Sequence, residues 1–205
     1  MMRPPERSPE RDAALDALLP LVPFEGWTVA ALRHAMRDAG LEPDDAELLF
    51  PGGALDLIEA HSDLADRRME AAGAGTEFDA MRLPAKVRAL IAARLEQSRG
   101  DRDAIRRALG VLALPRNARL AASMVARTVD TIWHAAGDRS ADFSWYTKRA
   151  ILTGVYSSTL LFWLRDESDG HEETLGFLDR RLAGVARIGK MRRKAGERLR
   201  PPRAA

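Results

Sequence analysis

The chain holds four histidines, His34, His61, His134 and His171, and no cysteine. No second histidine lies four residues from any of them, so the ligand pair of a His-Glu-x-x-His zinc helix is absent. None follows a glutamate at the three-residue distance that a di-iron carboxylate helix uses. Gly73-Ala74-Gly75 follows a helical pattern rather than a strand and lacks the third glycine of a dinucleotide fingerprint. Neither a phosphate-binding loop nor a Gly-x-Ser-x-Gly elbow occurs. Without cysteine there are no disulfides, thiolate metal sites, iron–sulfur clusters or cysteine nucleophiles. These residues therefore predict a protein that is not an enzyme, with no metal and no cofactor.

Large apolar side chains are the other material for a site, and they gather in the C-terminal half. Met124, Val125, Val129, Ile132 and Trp133 fall on one expected helix. Leu152, Val155, Tyr156, Leu160, Leu161 and Trp163 fall on the next, and Phe177 and Leu178 on the last. A filled core and a hollow one share this periodicity, so spacing alone does not separate them. Trp145 and Tyr146 stand apart, in what should be the first turn of their helix, where aromatics with one polar edge suit a boundary between lipid and water.

The elements that must carry these residues are helical throughout. Leu15, Leu18, Leu19 and Val22 recur at helical spacing and mark a first helix ended by Pro20 to Pro23. Thr28 caps a second that Gly40 stops, and Asp44 or Asp45 a short third before Pro51. A fourth runs from Ala54 to Ala71, and Gly73 to Glu77 reads as a linker. A fifth starts at Pro84, a sixth after Gly100-Asp101, and a seventh spans Pro115 to Ala136 with Gly137 as its stop. The eighth is capped by Asp142 and reaches Asp166. The ninth runs from Glu172 towards Arg193. Within the eighth, the fifteen residues Ala150 to Leu164 carry no charge. A membrane span needs about 20, so this run predicts a central helix buried on most sides.

Charge is distributed unevenly. From Arg187 onward eight bases face a single acid, Glu197, so that segment carries +7 and the remainder −5 of the overall +2. Ile188, Met191, Ala195 and Leu199 recur among those bases at spacings of three and four, the pattern of an amphipathic basic helix suited to an anionic membrane surface. The second and third helices have helix-turn-helix spacing. Yet Phe24 to Gly53 holds six acids against Arg33 and Arg37, and the would-be recognition helix has no base. Phosphates are held by Lys and Arg, so no nucleic acid is expected to bind. The start of the chain resembles neither a secretory signal nor a transit peptide. All but four of the 32 bases are arginine, a composition suggestive of a GC-rich bacterial genome.

Several blocks then carry a resemblance. Asp130-Thr131-Ile132-Trp133-His134 and Trp145-Tyr146-Thr147-Lys148-Arg149 lie in one such run. Val155-Tyr156, Asp166-Glu167-Ser168, Phe177-Leu178-Asp179-Arg180-Arg181 and the earlier Leu48-Leu49-Phe50-Pro51-Gly52-Gly53 join it. Together they resemble the lipid-binding accessory proteins of ubiquinone biosynthesis. The resemblance implies an all-α, TetR-like fold, usually a homodimer, with a hydrophobic tunnel for an isoprenoid quinone intermediate or a phospholipid. It implies a partner as well, a di-iron quinone hydroxylase met at the membrane surface.

On this reading residues 1–9 are disordered and 10–72 form the helix-turn-helix-like module. Residues 73–186 form the lipid-binding domain, and 187–205 the basic amphipathic segment. The lipid would touch Met124, Val125, Val129, Leu152, Val155, Tyr156, Leu160, Trp163 and Phe177. The partner would touch Asp130, Ile132, Trp145 and Tyr146; many relatives have methionine where this chain has Ile132. Arg187, Lys190, Arg192, Arg193 and Lys194 would contact the membrane. The expected location is cytoplasmic, at the inner face of a bacterial cell membrane. The alternative is a TetR-type ligand-responsive transcriptional regulator.

Overall fold

A computed structural model describes residues 5–138 and 144–198, excluding the side chains of 144, 186 and 188–198. Among the described residues there is no strand. The helices are α1 (Pro9–Leu18), α2 (Val22–Glu25), α3 (Val29–Asp38), α4 (Ala46–Leu49), α5 (Ala54–Ala72), α6 (Thr76–Ala80), α7 (Leu83–Gln97), α8 (Arg102–Leu112), α9 (Ala118–Ala135), α10 (Ser144–Trp163) and α11 (Glu172–Arg198). They fall into two compact units, residues 1–139 and 140–205. The boundary expected at 72/73 is therefore not where the packing divides. α5 and α7, on either side of that point, lie along each other.

Local chemistry explains the helix ends. Thr28 Oγ1 accepts from Ala31 N at 3.0 Å, capping α3 as expected. At its other end Gly40 takes φ 72°, and Leu41 N donates back to Met36 O at 2.8 Å. That left-handed turn is one a residue with a side chain rarely adopts.

Four expectations need correction. Ser8 Oγ accepts from Arg11 N at 3.2 Å and Pro9 opens α1. Arg7 pairs with Asp63 at 2.7 Å, so order begins before residue 10. The segment Pro20 to Pro23 does not simply end a helix: Pro23 sits in the first turn of α2, where its missing N–H costs nothing. The third helix shrinks to a 3-10 turn at Pro43–Asp45 and the single turn of α4. The expected linker already starts α6 at Thr76, because Phe78 is buried.

The first unit has one continuous core, built from Leu15, Leu18, Trp27, Leu32, Phe50, Leu57 and Ile58 among others, and reaching Met124 of α9. Trp27 Nε1 donates to Ala104 O at 2.9 Å. Arg11, only 4% exposed, secures the module from inside. Its guanidinium lies 4.2 Å from the Phe50 ring centroid, donates to Leu49 O, and pairs with Asp56 at 2.7 Å.

A second buried polar knot joins α5, α7 and α9. Arg94 Nε meets Asp66 Oδ1 at 2.9 Å, and Thr128 Oγ1 donates to Asp66 Oδ2 at 2.8 Å. Arg94 also reaches Ser98 Oγ at 3.1 Å.

His61 packs 5.3 Å from the Trp27 ring. Burial, and then the charges of Arg94 and Arg68, push its imidazole down to about 3. The folded state therefore holds His61 neutral, while the unfolded chain takes a proton near pH 6.5. Stability is fully present above that value and falls as pH drops towards 3, by at most roughly 1.4 kcal/mol per pH unit. His61→Phe should flatten this loss between pH 6 and 4 in urea titrations. An unchanged slope would mean that His61 is not the sensor.

Candidate functional site

α9 starts from the 3-10 turn Pro115–Asn117, where Asn117 Nδ2 donates to Val111 O at 2.8 Å. Its buried face is Met124, Thr128, Val129 and Ile132. Met124 belongs to the core of the first unit, Val125 is half-buried and Asp130 is exposed. Ile132 is 0% exposed. That is a correction to the expected partner patch, since spacing from Met124, Thr128 and Val129 turns Ile132 inward with them. The positive φ of Gly137 stops the helix region as expected, with Asp138 N donating to Trp133 O at 3.0 Å.

Alongside Asp130 is a cavity of about 160 Å³ lined by Arg7, Asp63, Asp66, Arg67, Glu70, Arg127, Asp130 and Thr131. It is charged rather than apolar. Arg67 bridges Asp12 at 2.6 Å and Asp63 at 3.2 Å, and Arg127 meets Glu59 at 2.6 Å. These pairs are internal, so the cavity is no candidate for an isoprenoid chain.

In the second unit α10 and α11 form a hairpin. Leu152, Val155, Tyr156 and Trp163 are buried, as are Thr159 and Leu178. Leu160 and Phe177 are half-buried. The Phe162 and Phe177 rings stack at 4.5 Å, with Arg181 4.8 Å over Phe177. The corner between the helices is built on Asp166, 4% exposed. Its Oδ1 accepts from Ser168 N at 2.9 Å, and its Oδ2 from Thr174 N at 2.8 Å. Both hydroxyls also donate to it. Burial works to raise this carboxyl, but the hydrogen bonds outweigh it and hold Asp166 below the usual carboxylate range.

α10 is buried or half-buried at most positions, but one face stands open. Tyr146 is 69% exposed, Leu161 58% and Ile151 38%. Ala150 and Gly154 are exposed as well. An uncharged helix face can stand in the open when its residues are small or await a partner, and hydropathy alone does not reveal this.

At the start of α10 the half-buried Trp145 meets Tyr146 edge-on at 4.7 Å, and the Arg149 guanidinium lies 3.7 Å over the Trp145 ring. Arg149 and Arg181 were not among the expected site residues. Their spacing of four from Trp145 and Phe177 was the signal available in the sequence. The Asp142 cap and the connection before it lie outside the described residues. Of the expected membrane contacts, Arg187 is exposed; Lys190, Arg192, Arg193 and Lys194 lie on helical backbone and outside the described side chains. Among the described residues no cluster of three His, Cys, Asp or Glu could hold a metal, and no helix is long and apolar enough to cross a membrane.

A family model described as COQ9 matches residues 118–189. That stretch contains every expected lipid and partner residue and stops just before Lys190. The chain is 31% identical over 189 residues to the mitochondrial ubiquinone biosynthesis protein COQ9 of Xenopus tropicalis, covering 85% of this chain and 57% of that protein. It is 30% identical over 194 residues to the Homo sapiens protein of the same name, covering 90% of this chain and 61% of that one. The chain thus spans about three-fifths of the length of these relatives. A crystal structure of a TetR transcriptional regulator from Nitrosomonas europaea superposes with TM-score 0.72 and 26% identity, over 87% of this chain and 99% of that one. The fold expected from the sequence, all-α and TetR-like, is the one observed.

Proposed function

We propose that this chain, a relative of the COQ9 proteins, is a non-catalytic lipid-binding accessory protein of ubiquinone biosynthesis. It takes an isoprenoid quinone intermediate, or a phospholipid, into an apolar site. From there it presents the quinone to a di-iron hydroxylase at the membrane. The observation that carries this reading is the likeness to those biosynthesis proteins over 85% or more of the chain, with a family match on the segment that bears the candidate residues.

Physical chemistry supports it. A polyprenyl tail outside a bilayer costs about 25 cal/mol for each Å² of apolar surface it exposes. A helical protein that lines the tail with Leu152, Val155, Tyr156 and their neighbours lowers that cost without any catalytic group. Half-buried Trp145 and exposed Tyr146 supply aromatic contacts for a partner on the second unit, and exposed Asp130 supplies a separate acidic one on the first. The exposed Ile151 and Leu161 further along α10 favour a homodimer, because large apolar groups in the open usually mark an interface. Membrane contact rests on Arg187 and the basic run after it. The test is organic extraction of the purified protein followed by mass spectrometry. A co-purifying isoprenoid or phospholipid at near one molecule per chain is the expected result, and lipid-free extracts would overturn the reading.

The likeness to a TetR regulator supports a second reading, ligand-responsive DNA binding. Charge weighs against it: Glu42, Asp44, Asp45 and Glu47 are exposed where phosphates would have to approach. No specific duplex binding is expected at physiological salt. A footprint on any promoter would reinstate the regulator.

A further inference from the structure

The module formed by α2, α3 and α4 leaves two large apolar side chains in the open. Phe24 is 83% exposed and Leu48 79%, the most exposed large apolar residues described. Side-chain contacts tie their neighbours to adjacent positions of α3. Glu25 Oε1 meets His34 Nδ1 at 2.8 Å, and Glu47 meets Arg33 at 2.6 Å. Asp38, Glu42, Asp44 and Asp45 are exposed on the same three-helix module. Apolar groups in an acidic frame repel nucleic acid and anionic lipid alike, and suit a basic, amphipathic polypeptide.

This chain contains such a segment. Residues 187–205 hold eight bases against Glu197, with Ile188, Met191, Ala195 and Leu199 at helical spacing, and α11 carries the helical backbone through Arg198. We propose that the exposed face of α2–α4 docks the basic segment 187–205 of a second copy of this chain, Phe24 and Leu48 meeting its apolar stripe and the acids its arginines and lysines. The −4 of Phe24 to Gly53 offsets part of the +7. Because an anionic membrane surface draws on the same bases, docking and membrane binding exclude each other. This goes beyond the proposed function and does not depend on any lipid in the apolar site.

The test uses the full chain. Equal amounts of unlabelled and ¹⁵N-labelled protein are mixed and treated with a carbodiimide, which joins ammonium groups to carboxylates in contact. Crosslinks from Lys190 or Lys194 to Glu42, Asp44 or Asp45 that combine light and heavy chains are the expected result. Crosslinks confined to one copy, or absent, overturn the proposal. In parallel, a fluorescent peptide of residues 187–205 is titrated into the full chain. Phe24→Ser with Leu48→Ser changes no charge and removes only exposed groups, and it should weaken peptide binding about tenfold. Glu42→Gln with Asp44→Asn and Asp45→Asn should weaken it similarly and flatten its salt dependence. Unchanged affinity in both variants, or equal binding of a scrambled peptide, sinks the docking. Vesicles containing phosphatidylglycerol should compete with the peptide's binding, and failure to compete would refute mutual exclusion.

Discussion

Asp66→Ala should cost the first unit roughly 3–5 kcal/mol. The carboxylate is 5% exposed and the arginine facing it, Arg94, 6%. Burial pushes the Asp66 carboxyl up, and the Arg94 charge with the Arg94 and Thr128 hydrogen bonds pulls it back. Removing it takes the facing carboxylate from a buried guanidinium, whose contacts to Ser98 Oγ and the Ser62 carbonyl carry no compensating charge. The Thr128 hydroxyl loses its acceptor in the same step. Because the knot joins three helices that are far apart in sequence, its loss should be felt across α5, α7 and α9 together. Asp66→Leu with Arg94→Met removes both charges and should be far milder, since no unpaired ion remains. Urea unfolding of the two variants decides the matter. A single mutant within 1 kcal/mol of the parent would show that water reaches Arg94 readily.

Trp145→Ala with Tyr146→Ala should leave melting almost unchanged and abolish capture of the hydroxylase partner, and with it quinone production in cells. Tyr146 is mostly in solvent, so little packing is lost with it. Trp145 is half-buried and held by Arg149 at 3.7 Å, which presents the indole in one orientation before any partner arrives. Preorganised aromatics of this kind are the residues most often found to contribute 2 kcal/mol or more to an interface. Arg149→Ala should accordingly weaken capture by a smaller factor. A large drop in melting temperature would make both rings core residues. Normal melting with normal capture would remove them from the interface.

The helices were legible because their signals are local. Thr28, Gly40 and Gly137 do at the helix ends what their chemistry predicts, and the absence of alternation excluded strands. The short elements were not legible, because α2 and α6 are decided by what Val22 and Phe78 bury, and burial is set by distant parts of the chain. Ile132 shows the same limit within a site. Its place on α9 follows from periodicity, but an apolar residue beside exposed Asp130 can face either way until the helix is docked. The exposure of Ile151 and Leu161 was hidden for the opposite reason. An uncharged run reads as interior, and only the fold shows which of its faces is left open. Gly73 gives a case the sequence marked only in part: it does begin a connection, from α5 to α6. A side chain there would also place its Cβ 2.6 Å from Leu90 Cδ2, so the glycine marks a close approach to α7 as well as a turn.

Arg11 has a consequence for how a helix-turn-helix shape can part from its usual chemistry. The module is held together from behind, by one cation against Phe50, Leu49 O and Asp56, and by Trp27 reaching Ala104. None of those atoms belongs to the outward row of α3 and α4. Scaffold and facade are therefore separable parts. The outer residues can change sign, from phosphate-seeking to phosphate-repelling, without disturbing the frame that holds them. Likeness of shape then belongs to the frame, and the sign of the facade is set residue by residue.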